Sequence, residues 1–143
     1  MLDIKIKKLQ ENAIIPTKGS EFSAGYDLYS CTNEEIEPHT NKKIGTGLSM
    51  ELPHGYFGAI FARSGLATKN GLRPSNCVGI CDEDYLGEYI VALYNDSDKT
   101  QVVNIGDRIA QLIVLPYQSI NFIEGCELSK TTRGCGGFGH TGI

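Results

Sequence analysis

An all-β domain, built as a sandwich, jelly roll or barrel of short strands, is the architecture this 143-residue sequence predicts. Apolar residues recur with a period of two, Gly, Asn, Asp and Pro clusters interrupt them at short intervals, and no stretch carries a convincing helical stripe. Ile4, Ile6 and Leu9, set among Asp3, Lys5, Lys7 and Lys8, begin the first strand. Ala24 to Ser30 reads as a strand entering the core, with an acid, Asp27, inside it. Ile44, Thr46, Leu48, Met50 and Leu52 alternate with small or polar residues and predict one half-buried strand. Tyr56 to Ala62, Tyr89 to Tyr94 and Ile109 to Leu115 are dense in Ile, Val, Tyr and Phe and predict strands buried on both faces. Turns fall at Pro53-His54-Gly55, Asn95 to Asp98 and Ile105-Gly106-Asp107. One helical turn or two is expected from Ser64, as cap, to Gly71. The tail from Thr131 to Ile143 has five glycines in thirteen residues, too few apolar groups for a core, and reads as a flexible end.

Composition narrows the function. At 41% hydrophobic and 21% charged residues, the chain suits one globular domain with its own core. The longest apolar stretch, near Leu112 to Leu115, is far too short to cross a bilayer, and Met1 to Gln10 lacks the apolar centre of a secretory signal. A soluble, intracellular, cytoplasmic protein without membrane contact is therefore expected. The net charge of −4 and the absence of a basic run argue against stable nucleic-acid binding, so an anionic partner must be held by a few placed residues. Cys31, Cys77, Cys81, Cys126 and Cys135 are odd in number and form no CxxC pair, which favours reduced thiols over a disulfide framework or zinc.

Several segments combine glycine with polar groups beyond what packing asks. In Ala24-Gly25-Tyr26-Asp27, the acid is either a turn or edge residue or a functional one. In Ala62-Arg63-Ser64-Gly65-Leu66, a cation, a hydroxyl and unshielded amides open a helical turn, which suits either an anion site or an N-cap beside a solvated Arg. Gly79-Ile80-Cys81-Asp82-Glu83-Asp84-Tyr85-Leu86-Gly87 reads as a tight hairpin that offers a carboxylate base beside an aromatic face. Gln111, inside the apolar run after Gly106-Asp107-Arg108, needs hydrogen-bond partners from the protein or from a ligand. Arg133-Gly134-Cys135-Gly136-Gly137-Phe138-Gly139 places a cation and an aromatic in a glycine-rich strip, without the Lys-Ser/Thr or strand-helix context of a P-loop.

In order and separation, AGYDLYS, ARSGLA, GICDEDYLG, GDRIAQLIV and RGCGGFGHTG resemble the five motifs of the trimeric deoxyuridine triphosphatases (dUTPases), from about Gly25 to Gly142. That resemblance implies a jelly-roll-like β-barrel, residues 1–130, with residues 131–143 a flexible lid of the same domain, assembled as a homotrimer whose active sites are shared. It implies hydrolysis of dUTP to dUMP and pyrophosphate, by water attack on the α-phosphorus with Mg2+ on the triphosphate. Asp82 then takes the place of the base that activates the water and meets the sugar 3′-hydroxyl. Tyr85 lies beneath the deoxyribose and excludes ribonucleotides. Asn76 and the backbone at Ile80 and Cys81 read uracil. Arg63, Ser64 and Gly65 hold the phosphates with help from Gln111 at the α-phosphate. Arg133 reaches the γ-phosphate, while Phe138, with Gly139 beside it, closes over the base. Asp27 is expected to act indirectly on the metal or structurally, with no direct protein ligand to Mg2+.

Two positions depart from the family pattern, Cys81 in place of an aliphatic residue and Cys135 in the glycine strip, and neither removes a catalytic group. The deoxycytidine triphosphate deaminases resemble the chain in their phosphate motifs but carry a Glu where this sequence has Ala92, which cannot shuttle protons. A binding module without catalysis is disfavoured by the complete set Arg63, Ser64, Asp82, Tyr85 and Gln111.

Overall fold

The computed structural model describes residues 2–138. Its strands are β1 (Lys5–Lys8), β2 (Thr17–Lys18), β3 (Tyr26–Tyr29), β4 (Glu34–Ile36), β5 (Asn41–Gly45), β6 (Leu48–Glu51) and β7 (Tyr56–Phe61). After the single helix α1 (Ser64–Asn70) follow β8 (Leu72–Pro74), β9 (Gly79–Cys81), β10 (Ile90–Asn95), β11 (Gln101–Val103) and β12 (Arg108–Pro116). The largest sheet runs β2-β3-β12-β7-β9, a second runs β5-β10-β8, and the pairs β1-β6 and β11-β4 complete the set. The all-β expectation is met. The sheets remain separate units, and among the described residues no closed barrel forms.

One core serves all the sheets. Leu28, Ile36, Ile44, Leu48, Met50, Leu72, Tyr89, Leu93 and Ile109 are each at most 2% exposed, and they come from seven different strands or their margins. Burial of this kind, at roughly 25 cal/mol per Å² of apolar surface, is the main favourable term holding the sheets together.

The strand predicted from Ile44 to Leu52 is two strands. It breaks at Thr46-Gly47, where Gly47 adopts φ +66°, and a Cβ there would lie 2.9 Å from Ala13 Cβ. The break lets the chain leave the β5-β10 pairing and join β1, and the buried Thr46 hydroxyl satisfies Tyr89 O at 2.6 Å. Period-two alternation runs through the break unchanged, so the sequence pattern does not reveal it. Burial on both faces also needs correction at β10, where Val91, Leu93 and Asn95 are buried while Ile90 is exposed. Nor is Gly79 to Gly87 a hairpin of adjacent strands, because β9 pairs with β7 and β10 pairs with β5 and β8. The segment between them is a crossing from one sheet to another.

The helix starts where expected but is capped differently. Arg63, extended at φ −86° and ψ 124°, occupies the N-cap, and Ser64 is the first helical residue. Gly71 ends the helix in the left-handed region at φ +70°, its N–H bonding to Ala67 O. Among the described residues no helix is long and apolar enough to cross a membrane.

Candidate active site

Two clefts hold most of the residues singled out by their motifs. The first, of about 440 Å³, is lined by Gly25, Asp27, Arg63, Ser64, Gly65, Arg108 and Gln111, with Gly19, Ser23, Ala24 and Ile113 also in its wall. It forms where β3 and β7 flank β12, so Asp27, Phe61 and Gln111 stand side by side across three strands. Asp27 is only 14% exposed and uses both carboxylate oxygens. Arg63 Nε donates to Oδ1 at 2.9 Å and Arg108 Nη1 donates to Oδ2 at 3.3 Å. Arg63 Nη1 also donates to Arg108 O at 3.1 Å. One shielded carboxylate thus fixes two guanidinium groups and leaves one positive charge in excess, the balance an anion site needs.

The helix start completes this cleft. The first intrahelical bond runs from Ala67 N–H to Arg63 O, so the Ser64 and Gly65 amides have no partner inside the helix. Both residues are exposed, and a Cβ added at Gly65 would meet nothing within 4 Å. Gln111 resolves its open reading in favour of a protein partner, since Nε2 donates to Ala62 O at 2.8 Å. Its side chain lies across Gly25, where an added Cβ would come within 2.5 Å of Oε1. A side chain at Gly25 would therefore push the Gln111 amide from its place.

The second cleft, of about 600 Å³, is lined by Phe57, Ile80, Asp82, Glu83, Asp84 and Tyr117. Asp82 is exposed, and among the described residues its carboxylate takes part in no hydrogen bond. The turn it begins is closed by Tyr85 N–H donating to Asp82 O at 3.1 Å. Tyr85 folds back over Gly87, where a Cβ would sit 2.6 Å from the hydroxyl, and donates to Glu88 O at 2.9 Å. Its ring packs against Tyr89, with centroids 6.2 Å apart. Asn76 is exposed, near Gly79. Ile80 is 59% exposed, whereas Cys81 is 8% exposed and stands opposite Gly58 in the β7-β9 pairing. Burial pushes the Cys81 thiol up to about 11, against a smaller pull from the neighbouring Tyr89 hydroxyl, itself buried without a well-formed hydrogen bond.

Within one chain the two clefts have no lining residue in common, so Asp82 and Arg63 are not brought together. Arg133 and Phe138 are exposed and line neither cleft, with Arg133 Nε donating to Gly136 O at 2.8 Å. Gly139 lies outside the described residues. Arg108 was passed over in the sequence, although it sits three residues before Gln111, because its carboxylate partner is remote in the chain. Glu83, which follows the motif without being expected as the base, has partners the sequence does not show: its Oε2 accepts the Gly55 N–H at 2.6 Å and its Oε1 lies 2.9 Å from His54 Nδ1. No group of three or more potential metal ligands occurs among the described residues.

The dUTPase family model matches residues 11–142, nearly the whole chain. The chain belongs to the dUTPase family. It is 48% identical to a deoxyuridine 5′-triphosphate nucleotidohydrolase of Desulfitobacterium hafniense, covering 90% of this chain and 87% of that one. It is 44% identical to the enzyme of the same name in Nautilia profundicola, covering 99% of each. The fold is similar to a mutant dUTPase of Staphylococcus bacteriophage 80alpha solved with dUpNHpp, at a TM-score of 0.89 and 26% identity over 100% of both chains.

Proposed function

We propose that this dUTPase-family chain hydrolyses dUTP to dUMP and pyrophosphate, acting as a homotrimer on the cytoplasmic nucleotide pool. The observation that carries the reading is the first cleft, where Asp27 holds Arg63 and Arg108 in place beside the unbonded amides of Ser64 and Gly65. A triphosphate brings several negative charges, and a preformed cationic cradle binds them without reorganising during the reaction. Arg63, Ser64 and Gly65 hold the phosphates, and Gln111, fixed on Ala62 O, presents its remaining amide atoms towards the α-phosphate.

Asp82 takes the proton from the water that attacks the α-phosphorus. An exposed carboxylate free of internal partners is available for that task, and general-base catalysis of this kind contributes about a hundredfold or more. Since the two clefts lie apart in one chain, the Asp82 cleft of one subunit meets the Arg63 cleft of another. Asn76 and the backbone of Ile80 and Cys81 read uracil, Tyr85 supports the deoxyribose, and the tail lends Arg133, Phe138 and Gly139 as a lid that shuts out water.

The first cleft offers phosphates rather than a metal its free groups, so Mg2+ would be held by the substrate's phosphate oxygens and not by this chain's side chains. With both Asp27 oxygens engaged by guanidinium groups, the role of this acid is to orient Arg63 and Arg108. Bound to the triphosphate, Mg2+ neutralises charge that builds on the phosphate oxygens.

Incubating the protein with dUTP, dTTP, dCTP and UTP, with analysis of the phosphate products, tests the reading. Only dUTP should be split, between the α and β phosphorus atoms. Inorganic phosphate as product, ammonia from dCTP, or equal turnover of UTP would overturn it.

A further inference from the structure

Three acids follow one another at residues 82 to 84, and only the middle one is anchored. Asp82 and Asp84 are exposed, while the Glu83 side chain is 25% exposed and turns back onto the Pro53-His54-Gly55 turn. There Oε2 accepts the Gly55 N–H at 2.6 Å and Oε1 meets His54 Nδ1 at 2.9 Å. Gly55, at φ +81°, also presents its carbonyl to Tyr117 N–H at 3.0 Å, where the chain leaves β12. The turn before β7, the turn after β9 and the end of β12 therefore meet at one carboxylate. His54 and the Gly55 amide, with a smaller part from the Tyr117 hydroxyl, hold the Glu83 carboxyl below the usual carboxylate range. It is ionised, and accepts these bonds, throughout the neutral pH range.

We infer that Glu83 is a positioning residue for Asp82, its carboxylate pinning the 82–85 turn to the Gly55 amide so that the neighbouring acid is aimed into the cleft. The Asp82 carboxylate makes no hydrogen bond among the described residues, so its aim is inherited from the backbone, and Glu83 is the side chain of that turn tied to a second loop. The inference rests on the reading of Asp82 as the base. Its chemistry differs, because Glu83 meets neither water nor nucleotide. It acts through distance, and a displacement of about 1 Å at a reacting group can cost about a hundredfold in rate.

Steady-state kinetics on dUTP for three substitutions test this, beside the wild type and Asp82→Asn. Glu83→Ala removes the tether and should lower kcat about tenfold or more while KM stays within about threefold. Glu83→Gln keeps an acceptor oxygen at the same reach and should return kcat to within about threefold of wild type. Glu83→Asp keeps the charge but draws the acceptor back by one methylene, and should be slower than Glu83→Gln. A Glu83→Ala enzyme with wild-type kcat, or a KM that rises as much as kcat falls, would overturn the inference. If Glu83→Ala does not fold, the other two decide: Glu83→Asp as fast as or faster than Glu83→Gln is incompatible with a tether. A flat Glu83 series with active wild type and inactive Asp82→Asn sinks this inference alone. An inactive wild type sinks both it and the assignment of Asp82.

Discussion

The two clefts handle charge in opposite ways. Around Asp27 every charged side chain is committed to another: one shielded carboxylate, two guanidinium groups, and a backbone carbonyl that takes the spare Arg63 donor. Around Asp82 the carboxylate is exposed and uncommitted, and the side chain of its turn that is anchored is its neighbour Glu83. The first arrangement suits a site that must hold charge still; the second suits a group that must accept a proton. Electrostatic preorganisation and general-base catalysis have separate structural requirements, and under the proposed function they fall to different loops.

The largest effect should come from removing the uncommitted group. Asp82→Asn keeps shape and loses basicity, so turnover of dUTP should fall by at least about a hundredfold with binding of the substrate retained. Comparing single-turnover rates with equilibrium binding separates the two quantities. Near-normal turnover would erase the distinction drawn between the clefts.

Next comes the committed acid. Asp27→Ala leaves Arg63 and Arg108 without their shared partner, and the loss of charged hydrogen bonds should cost about 1.5–3 kcal/mol of stability. Freed guanidinium groups wander, so kcat/KM should drop about tenfold or more. Chemical denaturation and kinetics check both. A stable variant with normal kcat/KM would mean that Arg63 is held by something other than Asp27.

A smaller effect should separate packing from ligand approach at two glycines. A Cβ at Gly25 collides with Gln111, whereas one at Gly65 meets open space. Gly65→Ala also improves helix propensity by up to about 1 kcal/mol. The variant should melt no lower than wild type yet bind dUTP several-fold more weakly, because the methyl group crowds the phosphates. Unaltered KM would remove the helix start from the phosphate site.

These predictions also mark what was legible in the sequence. Asp27, Arg63, Gln111 and Asp82 stood out because each breaks a local pattern, as an acid in a strand, a cation before a helix start, an amide in an apolar run, or an acid between glycines. The helix bounds were legible through Gly71. Partnerships across the chain were not. Nothing local links Asp27 to Arg108, Glu83 to Gly55, or Gly25 to Gln111, because each contact depends on how separate strands align. The division at Thr46-Gly47 stayed hidden for the same reason: alternation reports which face is buried, and Ile44 and Leu48 face one core although their strands join different sheets.

The smallest effect concerns the buried thiol next to Asp82. Cys81 is 8% exposed, and its thiol is pushed up from 9.0 to about 11, by burial first and also by the nearby Asp82 charge. A thiol whose native pKa is raised contributes stability that is complete below its unfolded value. That stability is lost as pH rises from 9.0 towards about 11, because the unfolded chain releases its proton more readily. The shift corresponds to roughly 2–3 kcal/mol. Cys81→Val, a change to an aliphatic side chain, removes this ionisation while Tyr89, raised by its own burial, titrates in both proteins. Urea unfolding at pH 8 and pH 10.5 should therefore show a steeper loss for the wild type than for the variant. Parallel losses would mean that water reaches the thiol, and that the residue preceding Asp82 is not held in a dry environment.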